Sequence, residues 1–243
     1  MTMKHLHCMA LHTVRYNDRN NILTAFSLEE GRVSLLVSAS ASREARRRRA
    51  ITMPLSFFEC VADLRHGHTI ANISDVRPSL ALPELTSNPI KITVALFVAE
   101  LLGIVLRETP EDPLLFRYLS YSAAALDSAD SRETANFLIH FLYRLGTFLG
   151  IEPDTSTYRK GRVFDMIDGT FRDSAPLHQR FLDGADAEAV YMLSRMNWDN
   201  YGMFRFNREQ RRRVISVIIE YYTVHYTSLS RLNSLDVMRE VFD

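Results

Sequence analysis

The strongest chemical signal in the sequence is a group of arginines between two predicted strands. A guanidinium keeps its charge and presents a planar fork of donors that suits phosphate oxygens. Contacts to phosphate supply most of the sequence-independent affinity of proteins for nucleic acid. We interpret the group as a nucleic-acid-binding segment, with a solvated charged loop as the alternative. Its members are Arg43, Arg46, Arg47, Arg48 and Arg49.

Aromatic residues occur in the same part of the sequence. Proteins that bind single strands without sequence preference combine a basic groove with aromatic side chains on which bases stack. Tyr16, Phe26, Phe57 and Phe58 are the candidates. Core packing is the alternative, and we favour it for one residue of the Phe57–Phe58 pair because neighbours on a strand face opposite sides.

A second basic cluster accompanies aromatic residues near the start of a predicted helix. Cations at that end oppose the helix dipole, so an anionic partner would offset an unfavourable placement. Basic groups beside an aromatic surface suit an acidic, hydrophobic peptide or a nucleic-acid strand. The alternative is a buried aromatic core with arginines lying along the helix. The candidate peptide-binding residues are Phe204, Phe206, Arg208, Arg211 and Arg212.

The sequence predicts no metal site. His5 and His7 would share one face of a strand, whereas Cys8 would face the other way. Cys60 could approach Cys8 if the first and fourth strands pair. The two cysteines do not form the CxxC pairs of a zinc ribbon.

Sequence signatures of common enzyme classes do not occur. There is no GxGxxG, GxxxxGK[ST], HExxH or GxSxG pattern. We therefore predict a protein that is not an enzyme and needs no cofactor. A hydrolase that uses His140 or His178 is the catalytic alternative.

The 243 residues carry 29 basic and 29 acidic side chains, so bulk charge does not indicate a nucleic-acid partner. The charges are nevertheless uneven, because residues 1–80 contain 11 basic and 7 acidic side chains. Hydrophobic residues make up 47% of the chain, which is enough to build a core and excludes disorder as the main state. We find no signal peptide or membrane-spanning stretch and expect a cytoplasmic protein.

Two patterns of periodicity divide the chain. Five short strands followed by helical spacing predict an α+β protein, with a five-stranded OB-fold barrel and then an all-helical C-terminal domain. Three prolines in residues 78–89 mark the boundary, giving domains 1–80 and 81–243. The predicted strands are 4–15, 22–28, 32–38, 56–64 and 69–76.

Capping signals predict where several helices begin. Ser87 or Asn88 precedes a helix with Pro89 in its first turn, and Asp112–Pro113 opens a second helix. Capping boxes open the helices after Asp130 and Asn207. A further helix spans residues 187–196 and a final one follows Ser234. Residues 151–185 are predicted to be irregular, with a short hairpin at 164–171.

In this order of elements the chain resembles the RecO family of bacterial recombination mediators. It most resembles the branch from Bacteroides-like bacteria. The likeness covers nearly the whole chain. It rests on the basic link 40–49, the strand 55–59, the hairpin 164–171, the stretch 200–206, the Tyr221–Tyr222 pair with His225, and residues 234–237.

The resemblance implies a DNA repair protein without covalent chemistry. Such proteins bind single- and double-stranded DNA and anneal complementary strands. They bind the C-terminal tail of single-stranded-DNA-binding protein and, with RecR, help to load RecA. The resemblance implies that Arg43 and Arg46–Arg49 bind DNA. It also implies a cytoplasmic protein that is at the nucleoid during repair. Many members hold zinc through four cysteines around 155–175, where this chain has none, so zinc is not carried over. An OB-fold RNA-binding accessory module and a peptide-binding scaffold remain the alternatives.

Overall fold

The computed structural model describes residues 3–40, 42, 51–64 and 69–232. Its N-terminal part is a five-stranded sheet, as the sequence predicts. The strands are β1 (Met3–Arg15), β2 (Asn20–Ser27), β3 (Gly31–Ser38), β4 (Phe57–Asp63) and β5 (Ala71–Pro78).

The five strands close into a barrel in the order β1-β2-β3-β5-β4. Closure depends on β1, whose 13 residues pair with β4 at one end and with β2 at the other. A register shift between Ala10 and His12 marks a β-bulge, which bends the strand between its two partners. The circle is completed where β3 and β5 pair in parallel.

Alternating residues fill the interior of the barrel, as the two-residue period of a strand requires. Leu6, Cys8 and Ala10 of β1 and Phe58 and Cys60 of β4 all belong to one buried cluster. Met9 and Leu11 are buried as well, although they alternate with those residues. Part of the outer side of β1 is covered because the first long helix packs against it, whereas His5 and His7 near its start stay partly exposed.

The β2–β3 turn depends on a glycine. Gly31 has a φ of 63°, which favours glycine because it has no Cβ. A Cβ at this position would lie 2.5 Å from the carbonyl carbon of Pro110. Position 31 is therefore restricted to glycine for two reasons: its backbone conformation and the close approach of the backbone at Pro110.

Three helices follow the barrel: α1 (Glu84–Ser87), α2 (Pro89–Val105) and α3 (Pro113–Ser128). The Asn88 side chain accepts hydrogen bonds from the backbone amides of Ile90 and Lys91, which confirms the predicted cap with Pro89 in the first turn. The single-turn helix α1 was not expected from the sequence. The buried Lys91 ammonium donates to the Asp127 carbonyl at 2.6 Å and thereby ties α2 to the end of α3.

The remaining helices are α4 (Ser131–Phe148), α5 (Gly184–Ser194) and α6 (Arg208–His225). Both predicted capping boxes are present, at Asp130 and at Asn207. A small sheet of β6 (Val163–Asp165), β7 (Thr170–Arg172) and β8 (Phe181–Leu182) lies between α4 and α5 in the chain. The β6–β7 hairpin is the predicted one, whereas β8 was not predicted. Short 3-10 helices form at Thr155–Thr157, Tyr201–Met203 and Thr227–Arg231.

By their internal contacts, the described residues form two units. The first unit extends to Ser128 and holds the barrel with α1–α3, and the second unit covers Ala129–Arg231. The division into domains 1–80 and 81–243 stays a prediction. The predicted helix after Ser234 lies outside the described residues. None of the described helices is long and apolar enough to cross a membrane.

Candidate nucleic-acid and peptide interfaces

The predicted arginine segment connects β3 to β4, and the structure describes both of its ends. At the start, the Ala39 amide donates to the carbonyl of Arg19 at 2.8 Å. At the other end, the Leu55 amide donates to the carbonyl of Ala10, and Ile51 packs against the barrel core. Both ends of the connection are therefore held on the barrel. The five arginines themselves, Arg43, Arg46, Arg47, Arg48 and Arg49, lie outside the described residues.

The start of this connection lies beside the β1–β2 loop. The Tyr16 and Asn17 amides both donate to the Asn20 carbonyl. The Asn17 carboxamide oxygen accepts from the amides of Arg19 and Asn20, which closes the loop tightly. This geometry fixes the loop that presents Tyr16 and Arg19, and both side chains are exposed.

Of the four aromatic residues considered for base stacking, Tyr16 is the one on the surface. Its exposed fraction is 58%, whereas Phe26 and Phe58 are fully buried and Phe57 is 3% exposed. Core packing, which the sequence favoured for one residue of the Phe57–Phe58 pair, therefore holds for both. Phe58 faces the barrel interior, and the ring of Phe57 meets Phe116 of α3 edge-on at 5.8 Å. The helices that follow the barrel cover a strand face that would otherwise be open.

The candidate peptide surface is organised around a buried asparagine of α4. The Asn136 amide nitrogen donates to the carbonyl oxygens of Tyr201 and Phe204, at 2.9 and 2.8 Å. These two bonds hold the segment that leads into α6. The rings of Phe204 and Phe206 are stacked with their centroids 6.0 Å apart, and both side chains are half-buried. Each side chain therefore keeps part of its apolar surface accessible.

The three arginines of this surface have different roles in the structure. Positions 208, 211 and 212 share a helix face because residues three and four apart are neighbours. The Arg211 guanidinium donates to the Phe206 carbonyl at 2.6 Å, and its Nε is buried without a hydrogen-bond partner among the described residues. Arg208 and Arg212 are exposed. Arg211 therefore holds the aromatic segment, whereas Arg208 and Arg212 present charge beside it.

A separate apolar pocket lies within the second unit. Tyr143 of α4, Val190 of α5 and Ile218 of α6 are among its lining residues. It holds about 30 Å³ of space, enough for one or two water molecules and too little for a phenyl ring. The surface around Phe204 and Phe206 is therefore the better candidate for an apolar peptide end.

The two histidines of the hydrolase alternative are a buried packing group and a group that is hydrogen-bonded within its own segment. His140 is 1% exposed, and its ring lies edge-on to Trp198 at 4.3 Å and stacks on Tyr201 at 5.6 Å. Burial, with a smaller contribution from Arg144, lowers the pKa of His140 to about 4. The imidazole is therefore an uncharged packing group at neutral pH.

His178 is engaged at both ring nitrogens. Its Nδ1 accepts a hydrogen bond from the Arg180 amide, and its Nε2 lies 3.3 Å from the buried carboxylate of Asp165. Asp165 also pairs with Arg172 and accepts from the Ile167 amide, so it organises the β6–β7 hairpin. His178 therefore has no free ring nitrogen, and the ring nitrogens of His140, which have no hydrogen-bond partner among the described residues, are buried away from any substrate. Neither histidine is placed to act as a general base.

The two cysteines lie inside the barrel, and the histidines of β1 lie outside it. Cys8 and Cys60 are buried free thiols. Their hydrogen bond, together with burial, raises the pKa of the Cys8 thiol well above its usual value. The burial of Cys8 inside the barrel confirms that its side chain faces away from His5 and His7, which are partly exposed. The sequence reasoning did not find Glu59 and Glu29, which lie beside the two histidines.

The fold and the surfaces define a class: a small closed β-barrel with a basic strand connection, joined to a helical region. Comparison with known families then makes the assignment specific. The profile "Recombination protein O N terminal" matches residues 1–80, and "Recombination protein O C terminal" matches residues 86–236. The chain belongs to the RecO family.

The chain is similar in sequence to individual bacterial proteins over nearly their whole length. The chain is 37% identical to the DNA repair protein RecO of Phocaeicola vulgatus over 234 residues, covering 96% of this chain and 97% of that protein. It is 35% identical to the protein of the same name from Bacteroides fragilis, with 97% of both chains covered. Identity to the Porphyromonas gingivalis RecO is 31%, again with 97% coverage of both chains.

Proposed function

We propose that this chain is a DNA repair protein that binds single- and double-stranded DNA through its barrel and anneals complementary strands. The observation that carries the proposal is the anchoring of the arginine connection beside the exposed Tyr16. The hydrogen bond from the Ala39 amide to the Arg19 carbonyl joins the two segments. The exposed ring and the described start of the connection whose sequence carries the arginines therefore lie side by side on the barrel, which suits a surface that combines base stacking with phosphate contacts.

The barrel topology supports an OB-fold as the DNA-binding module, residues 1–80 in our division. An OB-fold binds oligonucleotides through its β2–β3 face and through the loops that follow β1 and β4. Tyr16 lies in the first of these loops. Annealing requires a surface that screens the repulsion between two phosphate backbones, and arginines supply that charge without a nucleotide or a metal.

The second part of the proposal concerns protein partners. We assign binding of the acidic, hydrophobic tail of single-stranded-DNA-binding protein to Phe204, Phe206, Arg208, Arg211 and Arg212. An apolar peptide end would pack on the two rings while Arg208 and Arg212 pair with its carboxylates. Membership of the RecO family supports cooperation with RecR in loading RecA, in the bacterial cytoplasm at the nucleoid during repair.

Strand annealing tests the DNA part of the proposal. The rate at which two complementary labelled oligonucleotides pair is measured with the full-length chain, with and without single-stranded-DNA-binding protein. We expect acceleration by the wild type and a large loss in the triple variant R46A/R47A/R48A. A control triple variant, R117A/R132A/R180A, loses the same charge from exposed positions outside the barrel strands and should anneal normally. Equal annealing by the two triple variants would contradict the assignment.

A matched RNA strand that competes better than DNA would favour the RNA-binding alternative.

Peptide binding has a separate assay. A labelled acidic peptide that ends in Pro-Phe is titrated with the wild type and with R208E/R212E. We expect at least tenfold weaker binding by this variant, because both replacements repel the peptide. The variant R195E reverses an exposed charge elsewhere in the second unit and serves as the control. Unchanged affinity in R208E/R212E would show that the tail binds elsewhere.

A further inference from the structure

Two histidines and a glutamate form a cluster on the outer surface of the barrel. His5 and His7 are two residues apart on β1 and therefore project from the same face. Glu59 of β4 is the direct cross-strand partner of His7. One ligand atom from each of the three residues lies within 4.8 Å of the other two.

The separations of these atoms are those of a coordination site. The Glu59 carboxylate lies 3.5 Å from His5 Nε2 and 3.7 Å from His7 Nε2. In a tetrahedral zinc site with bonds of about 2.0–2.1 Å, neighbouring ligand atoms are roughly 3.3 Å apart. Small side-chain rotations would bring the three atoms around one ion, because all three side chains are partly exposed.

A fourth residue orients one of the imidazoles. The Nδ1 of His7 lies 2.6 Å from the Glu29 carboxylate, whose other oxygen accepts from the His7 backbone amide at 2.9 Å. Glu29 is held over His7 because the Leu28 amide donates to the His7 carbonyl. When Nδ1 carries the proton, Nε2, which lies 3.7 Å from the Glu59 carboxylate, keeps its lone pair for a metal ion. This carboxylate–histidine arrangement is the usual support of a metal-bound imidazole.

We propose that His5, His7 and Glu59 bind a divalent transition-metal ion, with Zn²⁺ as the best match. Two imidazoles and one carboxylate suit Zn²⁺, whereas Mg²⁺ and Ca²⁺ prefer sets of oxygen ligands. The ion ties β1 to β4, and Glu29 connects it to the β2–β3 turn. Solvent completes the coordination because the cluster lies at the surface. The site is separate from the buried thiols Cys8 and Cys60.

Metal titration of the full-length chain tests the proposal. The protein is freed of metal with a chelator, and ZnCl₂ is then added in competition with a chromophoric chelator. We expect the double variant H5Q/H7Q to lose one equivalent of bound Zn²⁺ relative to the wild type. The variant E29A keeps the three ligands but loses the orienting carboxylate, and should bind about 10–100-fold more weakly. H178Q removes another imidazole that lies beside a carboxylate and should bind as the wild type does.

Zn²⁺ binding by H5Q/H7Q equal to that of the wild type would overturn the proposal, as would an equal loss in H178Q. The Co²⁺-loaded wild type provides a readout that does not depend on any variant folding correctly. Ligation by nitrogen and oxygen gives weak visible bands without the intense near-ultraviolet absorption of a cobalt–thiolate bond. A strong thiolate band would assign the metal to Cys8 and Cys60 and would equally overturn the proposal.

Discussion

Protonation of His140 is expected to destabilise the second unit as the pH falls below neutrality. The buried imidazole lies between Trp198 and Tyr201 and has a pKa of about 4 in the folded protein. In the unfolded chain its pKa returns to about 6.5. The unfolded state therefore binds a proton between these two values and the folded state does not. The stability that depends on neutral His140 is present above pH 6.5 and is lost as the pH falls towards 4.

The expected magnitude follows from the two pKa values. Between pH 7 and pH 5, linkage through this one group lowers the free energy of unfolding by about 2 kcal/mol. The variant His140→Leu cannot titrate at this position and should lack that part of the pH dependence. Other groups titrate in both proteins, so the difference between the two pH profiles isolates His140.

Urea denaturation monitored by tryptophan fluorescence measures this difference. Trp198 is the single tryptophan of the chain and lies against His140, so its emission reports on the unfolding of the second unit. Phe137→Leu is the matched control, because it removes another buried ring beside Trp198 but no titratable group. It should keep the wild-type profile. Parallel profiles for the wild type and His140→Leu would refute the reasoning.

Three further substitutions have defined outcomes. Asn136→Ala leaves buried carbonyl groups without a donor, including that of Phe204, and should cost about 2 kcal/mol in urea denaturation and weaken binding of the acidic peptide. Gly31→Ala should cost at least about 2 kcal/mol, since it adds a Cβ against Pro110 at a positive φ, and a lowered thermal midpoint by circular dichroism would reveal it. Tyr16→Ala should weaken single-strand binding by about 1–3 kcal/mol in fluorescence anisotropy without changing its salt dependence, whereas unchanged affinity would exclude stacking on this ring.

Sequence patterns that depend on residues close together in the chain predicted much of the fold correctly. The caps at Asn88, Asp130 and Asn207 depend on side chains that bond to amides two or three residues away, so sequence spacing reveals them. The single-turn helix Glu84–Ser87 and the two-residue strand Phe181–Leu182 escaped prediction because such short elements carry no periodicity.

Contacts between distant segments were harder to predict from the sequence. The burial of Phe57 depends on Phe116, which is more than fifty residues away in the chain. The approach of Glu59 to His7 depends on the register of β1 against β4. Sequence reasoning placed His5 and His7 on one face but had no basis for choosing their partner on the neighbouring strand. Similarly, the role of Arg211 in holding Phe206 follows from tertiary structure and not from its charge.

The salt dependence of DNA affinity tests the central claim most directly. For single strands, the slope of log affinity against log salt concentration changes by about 0.7 for each phosphate contact. If Arg46, Arg47 and Arg48 each contact one phosphate, R46A/R47A/R48A should bind a single-stranded oligonucleotide more weakly, with a slope about 2 smaller in magnitude than that of the wild type. Identical slopes and affinities for the two proteins would contradict the claim that this connection of the barrel binds the DNA backbone.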